Sequence, residues 1–129
     1  MATADRIRRL LTDQLEDCCD SDVEKRLDEL QTLADDAFAG DSSRPVFAAL
    51  GNETRYRLTR ALAVADGELC VCELEPLVDV SGSAVSHALS DLVDAGLVTR
   101  RKDGNWRYYT ATQLANALLE TAETTVSDA

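Results

Sequence analysis

Two predicted helices joined by a short turn constrain the fold of this chain more than any other feature. The first is predicted over residues 70–77, and the second over 82–95 with Ser81 as its N-cap. The second is amphipathic, because its apolar residues recur at helical spacing: Val85, Leu89 and Leu92. Two helices so close together are typical of a helix-turn-helix unit.

A predicted β-hairpin follows this unit. Residues 97–101 have the pattern of a strand, 102–105 (Lys-Asp-Gly-Asn) that of a turn, and 106–110 that of the partner strand. The fold class is therefore mainly α with a small β-hairpin, a winged helix-turn-helix with additional N- and C-terminal helices. We predict a helical arm over 1–40, which packs on the rest of the chain or on a second subunit and carries possible thiol ligands. The winged helix-turn-helix is predicted over 41–111, and a C-terminal helix with its tail over 112–129.

Length and composition limit the possible classes of protein. The 129 residues suit one domain, and no apolar run approaches the ~18 residues of a membrane span, so no membrane partner is expected. The N-terminus is charged and lacks the apolar centre of a signal peptide, which predicts a cytoplasmic protein. In that compartment four cysteines are expected to be thiols.

The charge pattern is acidic overall but uneven. A net charge of −11 with only two lysines predicts adaptation to high salt, as in halophilic proteins. Positive charge nevertheless concentrates in residues 44–66 and 97–109. These two basic segments keep nucleic acid open as a partner.

The cysteines form two close pairs, Cys18 with Cys19 and Cys70 with Cys72. Thiolates select soft ions, which makes all four candidate metal ligands. Residues i and i+2 lie about 200° apart around a helix. We therefore expect the first helical turn to unwind or bend when Cys70 and Cys72 share an ion. Two alternatives remain: Cys70 is simply a small buried apolar residue, or the two pairs form a redox switch.

Eight residues of the second helix and the hairpin are candidates for DNA contact: Ser81, Ser83, Ser86, His87, Arg100, Arg101, Lys102 and Arg107. The first four lie at the N-terminal end of the helix, where recognition helices meet bases and phosphates. Structural alternatives are a capping role for Ser81 and a solvated charged edge for the hairpin.

Residues 46–110 resemble the ArsR–SmtB family of metal-responsive winged-helix repressors. The matching segments are 46–58, Glu-Leu-Cys-Val-Cys-Glu-Leu at 68–74, 80–89, 96–98 and the hairpin 101–109. The resemblance implies a homodimer that binds double-stranded operator DNA and leaves it when metal binds. It assigns dimerisation to the arm 1–40 and the C-terminal helix 112–129, and DNA binding to the domain 41–111. The 68–74 segment resembles the thiolate motif of the arsenic and cadmium/lead branches, which implies As(III), Sb(III) or Cd(II) as the inducer, with no resident cofactor.

This chain departs from the best-known arsenic repressors at Glu75, where they carry a third cysteine. Because As(III) prefers three thiolates, Cys18 or Cys19 is expected to supply the third, across the dimer as in the cadmium/lead branch. The single histidine, His87, cannot build the His/Asp zinc site that other branches place on the C-terminal helix.

No arrangement of residues indicates an enzyme. The chain has neither a nucleophile–histidine–acid set nor a phosphate-binding glycine loop. The prediction is a repressor that senses a thiophilic metal or metalloid. The alternatives are a thiol-redox regulator of the same fold, and a structural zinc or purely DNA-binding protein with inert cysteines.

Overall fold

The computed structural model describes residues 2–15, 19–65 and 67–127. Contacts within the chain define two units, Met1–Asp41 and Ser42–Ala129. Seven α-helices, one 3₁₀ turn and three short strands are formed by the described residues. None of the helices in these ranges has both the length and the apolarity that a bilayer span requires.

The first unit is a pair of helices, α1 (Ala2–Gln14) and α2 (Asp20–Phe38). They pack against each other, and Arg8 forms an ion pair with Asp20 at 2.6 Å. Val23 is the one buried residue in the described part of this unit. Several large apolar side chains are exposed: Leu10, Leu15, Leu33 and Phe38. This unit therefore has almost no core of its own.

The second unit begins with two helices, continues through a helix-turn-helix and a hairpin, and ends with a long helix. Its elements are α3 (Arg44–Leu50), α4 (Glu53–Val64), β1 (Leu69–Cys70), α5 (Val71–Leu74) with the 3₁₀ turn Glu75–Leu77, α6 (Gly82–Asp94), β2 (Val98–Asp103), β3 (Trp106–Ala111) and α7 (Gln113–Ser127).

The core of the second unit joins α4, α5, α6, the hairpin and α7. Its members are almost inaccessible to solvent: Leu58, Leu62, Leu74, Val85, Leu89, Leu92, Leu97, Tyr109 and Ala115. The predicted buried face of α6 is thus confirmed. Because that face is fixed in the core, the opposite face of α6 is left exposed.

The three strands form one antiparallel sheet in the order β1-β3-β2. Pairing of β2 with β3 continues to Asp103 and Trp106, so the turn is shorter than predicted and consists of residues 104–105. Gly104 has a φ of +63°, which glycine adopts without steric cost. The winged helix-turn-helix predicted from the sequence is confirmed.

One predicted element is wrong in detail. The helix expected over 70–77 is a two-residue strand, a four-residue helix and a 3₁₀ turn. Cys70 has extended backbone angles, φ −84° and ψ 167°, because it pairs with Tyr108 in the sheet. A strand of two residues is too short to produce an alternating pattern, so it could not be predicted from periodicity.

Candidate thiol centre and nucleic-acid interface

Cys70 and Cys72 lie together at the junction of β1 and α5. Cys70 ends β1 and is the N-cap of α5, and Glu73 accepts a hydrogen bond from the Cys70 backbone N–H at 3.0 Å. The Cα atoms of Cys70 and Cys72 are 5.4 Å apart, and their Sγ atoms are joined in a disulfide. The expectation that both cysteines lie inside a regular helix is therefore wrong. Since Cys70 lies outside the helix, its extended backbone already brings the two sulfurs together.

A cleft of about 360 Å³ adjoins the thiol pair. It lies between α5, the exposed side of α6 and the end of the hairpin. Its lining includes Cys70, Cys72, Glu75, Ser86, Trp106 and Arg107. The cleft therefore brings the thiols next to two of the candidate DNA-contacting residues.

Glu75 contacts the start of α6 at Gly82. A Cβ atom added to Gly82 would lie only 2.7 Å from Glu75 Oε1. Glycine at this position therefore lets the carboxylate lie directly against the first residue of the recognition helix. In the sequence, Glu75 was notable only because it stands where the best-known arsenic repressors have a third cysteine. That comparison gave no indication of its contact with Gly82.

The N-terminal half of α6 presents the four predicted DNA-contacting residues to solvent. Ser81, Ser83, Ser86 and His87 are all exposed. Ser81 is also the N-cap, because its Oγ accepts a hydrogen bond from the Ala84 N–H at 3.1 Å. The capping role and an outward-facing hydroxyl are compatible with each other.

The hairpin divides its four predicted cations between two faces of the sheet. Residues paired directly across antiparallel strands share a face, and successive residues alternate. Arg100 pairs with Tyr109, and Lys102 with Arg107, which places these cations on one face. None of Arg100, Lys102 and Arg107 forms an ion pair with a residue in the described part of the chain.

Arg101 lies on the other face, together with Tyr108. Its Nε and Nη2 atoms each donate to the Glu68 carboxylate at 2.9 Å. These hydrogen bonds lower the pKa of Glu68 below its ordinary value of 4.5 and raise that of Arg101. Glu68 was not predicted as a functional residue, because its contact with Arg101 depends on the unpredicted strand β1.

The basic segment 44–66 is largely neutralised within the chain. Arg55 donates to the Ala49 carbonyl at 2.9 Å and lies 3.5 Å from Asp91 of α6. Arg57 pairs with Glu53, and Arg60 with Glu123 of α7. The exposed positive surface of the second unit is therefore formed mainly by the hairpin.

The first cysteine pair is described only in part. Cys18 lies outside the described residues. Cys19 carries an exposed thiol, whose Sγ is 2.8 Å from Ser21 Oγ and 3.3 Å from Asp22 Oδ2. The Cys19 backbone N–H and thiol both donate to Asp22, which lowers the pKa of that carboxyl. Within the described ranges, no three His, Cys, Asp or Glu side chains are placed to hold a metal ion.

An exposed helix beside a cationic hairpin is the arrangement with which a winged helix-turn-helix contacts DNA. The family described as "Bacterial regulatory protein, arsR family" matches residues 52–100. The putative arsenical resistance operon repressor ArsR of Halobacterium salinarum is 53% identical over 123 residues, covering 92% of this chain and 94% of that protein. The chain therefore belongs to the ArsR family, a family of DNA-binding transcriptional regulators and not of enzymes, and the resemblance predicted from its motifs is confirmed.

Two further proteins show the range of the similarity. The cadmium resistance transcriptional regulatory protein CadC of Listeria innocua is 40% identical over 63 residues, covering 49% of this chain and 52% of that protein. The structure of HlyU from Vibrio cholerae has a TM-score of 0.58 and 30% sequence identity, covering 65% of this chain and 90% of that chain. Reduced HlyU has a TM-score of 0.59 and 28% identity, with coverages of 74% and 96%.

Proposed function

We propose that this protein is a dimeric repressor that releases operator DNA when a thiophilic ion binds to Cys70 and Cys72. The observation that carries the proposal is the adjacent pair of sulfurs beside the recognition helix. The inducer class is As(III) or Sb(III), or a soft divalent ion such as Cd(II). Thiolates bind soft ions in preference to hard ones, and similar proteins are named arsenical and cadmium resistance regulators.

The DNA-binding surface consists of the start of α6 and one face of the hairpin. The four residues at the start of the helix, Ser81, Ser83, Ser86 and His87, would meet bases and phosphates in the major groove. Arg100, Lys102 and Arg107 are exposed on the shared hairpin face and would contact the flanking phosphates. Arg101 contributes only when it leaves Glu68, because the carboxylate occupies its donors.

A second copy of the chain is the proposed partner for the exposed apolar faces. In the first unit Phe38 is 75% exposed, and on α7 Val126 is 73% exposed. Apolar surface of this kind is commonly covered by dimerisation. Sedimentation at micromolar concentration should give a dimer, and Phe38→Asp or Val126→Asp should shift it toward monomer. A monomeric wild-type protein would contradict the proposal.

The thiol pair can be tested with the single tryptophan as a reporter. Trp106 lines the same cleft as Cys70 and Cys72, so its fluorescence should change when sodium arsenite or Cd(II) binds to reduced protein. Operator affinity is measured in parallel on a duplex that the protein selects from a random pool. Cys70→Ser and Cys72→Ser should each keep DNA binding and abolish release by the ion. A full response of the double variant would place the site elsewhere.

The third thiolate is proposed to come from Cys18 or Cys19 of the partner chain. Removing both should lower the stoichiometry to two thiols per As(III). Mixed dimers then show whether the third thiolate comes from the same chain or from the partner chain. In these dimers a protomer lacking Cys18 and Cys19 is paired with one lacking Cys70 and Cys72. A site shared across the dimer leaves one intact site per mixed dimer, whereas a site within one chain leaves none.

Glu75→Cys provides an independent gain-of-function test. Residues three apart lie on the same side of a helix, so the introduced thiol would join Cys72 and supply a third sulfur locally. Arsenite binding should then no longer depend on Cys18 and Cys19. Continued dependence would mean that position 75 does not reach the ion.

A thiol-redox regulator is the second candidate, and the bond between Cys70 and Cys72 in this structure favours it. In that mechanism the two thiols lose two electrons and two protons to an oxidant, and the disulfide forms. Hydrogen peroxide should then release the operator as fully as arsenite does, and dithiothreitol should restore binding. Peroxide-treated protein that contains the Cys70–Cys72 disulfide and still binds DNA would exclude this candidate.

A further inference from the structure

Glu68, which precedes β1, contacts Arg101 of β2 across Tyr108 of β3, and we call this three-residue interaction the clasp. Two hydrogen bonds of 2.9 Å join the Arg101 guanidinium to Glu68. The same guanidinium lies over the Tyr108 ring, 4.8 Å from its centroid, within the range of a cation–π interaction. The clasp thus connects the segment that precedes the thiols to the hairpin.

The register of the sheet explains why these residues meet. Tyr108 of the central strand β3 pairs with Cys70 on one side and with Arg101 on the other. Paired residues share a face, and Glu68 precedes Cys70 by two residues, so it falls on that face as well. Arg101 therefore reaches over Tyr108 to Glu68, on the face to which Cys70 also belongs.

The clasp affects how Arg101 can contact DNA. A guanidinium binds a phosphate most strongly through two parallel hydrogen bonds, and the Glu68 carboxylate already occupies this type of contact. A phosphate that approached the clasp would also be repelled by the carboxylate. Arg101 therefore differs from Arg100, Lys102 and Arg107, which have no such anionic partner in the described part of the chain.

Cys70 connects the clasp to the thiol centre. Only two residue pairs hold β1 in the sheet, Leu69 with Tyr109 and Cys70 with Tyr108. A displacement of Cys70 is therefore transmitted directly to Glu68, two residues away. In this structure the Cys70 and Cys72 sulfurs are joined, and the clasp is closed.

We propose that Glu68 is a positioning residue for operator release. When an ion joins the two sulfurs, Cys70 is held in place, and Glu68 keeps Arg101 away from the operator phosphates. When no ion joins the thiols, β1 is free to shift in the sheet, and Arg101 then binds a phosphate in place of the Glu68 carboxylate. The inference rests on the proposed function, because it requires the thiol pair to be the sensing site.

The test compares Glu68→Gln with the wild type in reduced protein, with and without sodium arsenite. Operator affinity is measured over a range of salt concentrations. In the arsenite-loaded protein the variant should gain one phosphate contact per protomer, so for the dimer the slope of log K against log salt should steepen by about 1.8, or about 60-fold per decade of salt. Without arsenite the variant should match the wild type within about 2-fold, since Arg101 already contacts phosphate there.

Two further variants make the result specific. Glu53→Gln removes the same charge from another exposed ion pair, with Arg57 at 3.0 Å, and should change neither slope. The double variant Glu68→Gln/Arg101→Gln should behave as Arg101→Gln alone, because Glu68 acts through that guanidinium.

Two failures can be told apart. Equal shifts of the loaded and the arsenite-free protein would overturn the positioning role, since Glu68 would then act only through its charge. If arsenite has no effect on the wild type, or if the cysteine variants respond like it, the proposed function itself fails.

Discussion

Ser81 combines a structural role and a proposed DNA contact, and substitutions can separate the two. Its Oγ accepts the Ala84 N–H at 3.1 Å and so satisfies one of the unpaired amides at the start of α6. Ser81→Ala should therefore cost about 1 kcal/mol of stability. For a domain of 60–100 residues this corresponds to a decrease in Tm of roughly 4–8 °C.

The same substitution should also weaken operator binding. A lost hydrogen bond to a charged phosphate is worth about 1.5–3 kcal/mol, which is roughly 10-fold or more in Kd. This loss cannot result from unfolding. Small domains are stable by about 5–15 kcal/mol, so a cost of about 1 kcal/mol leaves well under ~1% unfolded.

Ser81→Asp and Ser81→Asn are the matched controls. Aspartate and asparagine cap helices as well as serine does, so thermal denaturation should show both variants near the wild-type Tm. Asparagine retains an N–H donor for the phosphate, whereas aspartate has none and repels it. Of these two controls, only Ser81→Asp should therefore show a strong loss of operator affinity in fluorescence anisotropy with labelled operator. Wild-type affinity in that variant would mean that Ser81 is a cap alone, and an unchanged Tm in Ser81→Ala would refute the capping argument.

Three other substitutions test the packing and electrostatics of the second unit. Gly82→Ala should stabilise the protein by about 0.4–1 kcal/mol in thermal denaturation, because alanine restricts the unfolded chain and the flexible end of Glu75 can move away from the new methyl group. A decrease in stability would mean that the Glu75 side chain is fixed there. Leu92→Ala, at a fully buried position, should cost about 2–5 kcal/mol in urea denaturation, and a loss below ~1 kcal/mol would contradict the assigned core. Hydrogen bonds from Arg60 lower the pKa of Glu123 below 4.5, so this pair stabilises the fold above that pH and ceases to do so as the pH falls through the lowered pKa. Glu123→Gln should therefore lose less stability than the wild type on acidification. If the free energy of unfolding depends on pH in the same way in both proteins, the Arg60–Glu123 pair does not contribute as argued.

Most of the helices, their order and the thiol motif could be predicted from local sequence patterns. The apolar residues of α6 recur at helical spacing, and Ser81 caps that helix through a contact three residues away. The hairpin was predicted from a turn sequence between two strand patterns, and Gly104 has the positive φ that such a turn uses. These features depend on neighbours within one or two turns of the chain, and such contacts leave a local pattern in the sequence.

How these parts meet depends on tertiary contacts that no local pattern encodes. Cys70 is extended because it pairs with Tyr108, and this pairing brings the two sulfurs together without unwinding a helix. The Glu68–Arg101 contact joins residues 33 positions apart. It exists because β3 lies between β1 and β2, and because alternation along β2 turns Arg101 to the face opposite Arg100. Strand pairing between distant segments is fixed by the register of the whole sheet, and a strand of two residues leaves no periodic pattern from which that register can be predicted.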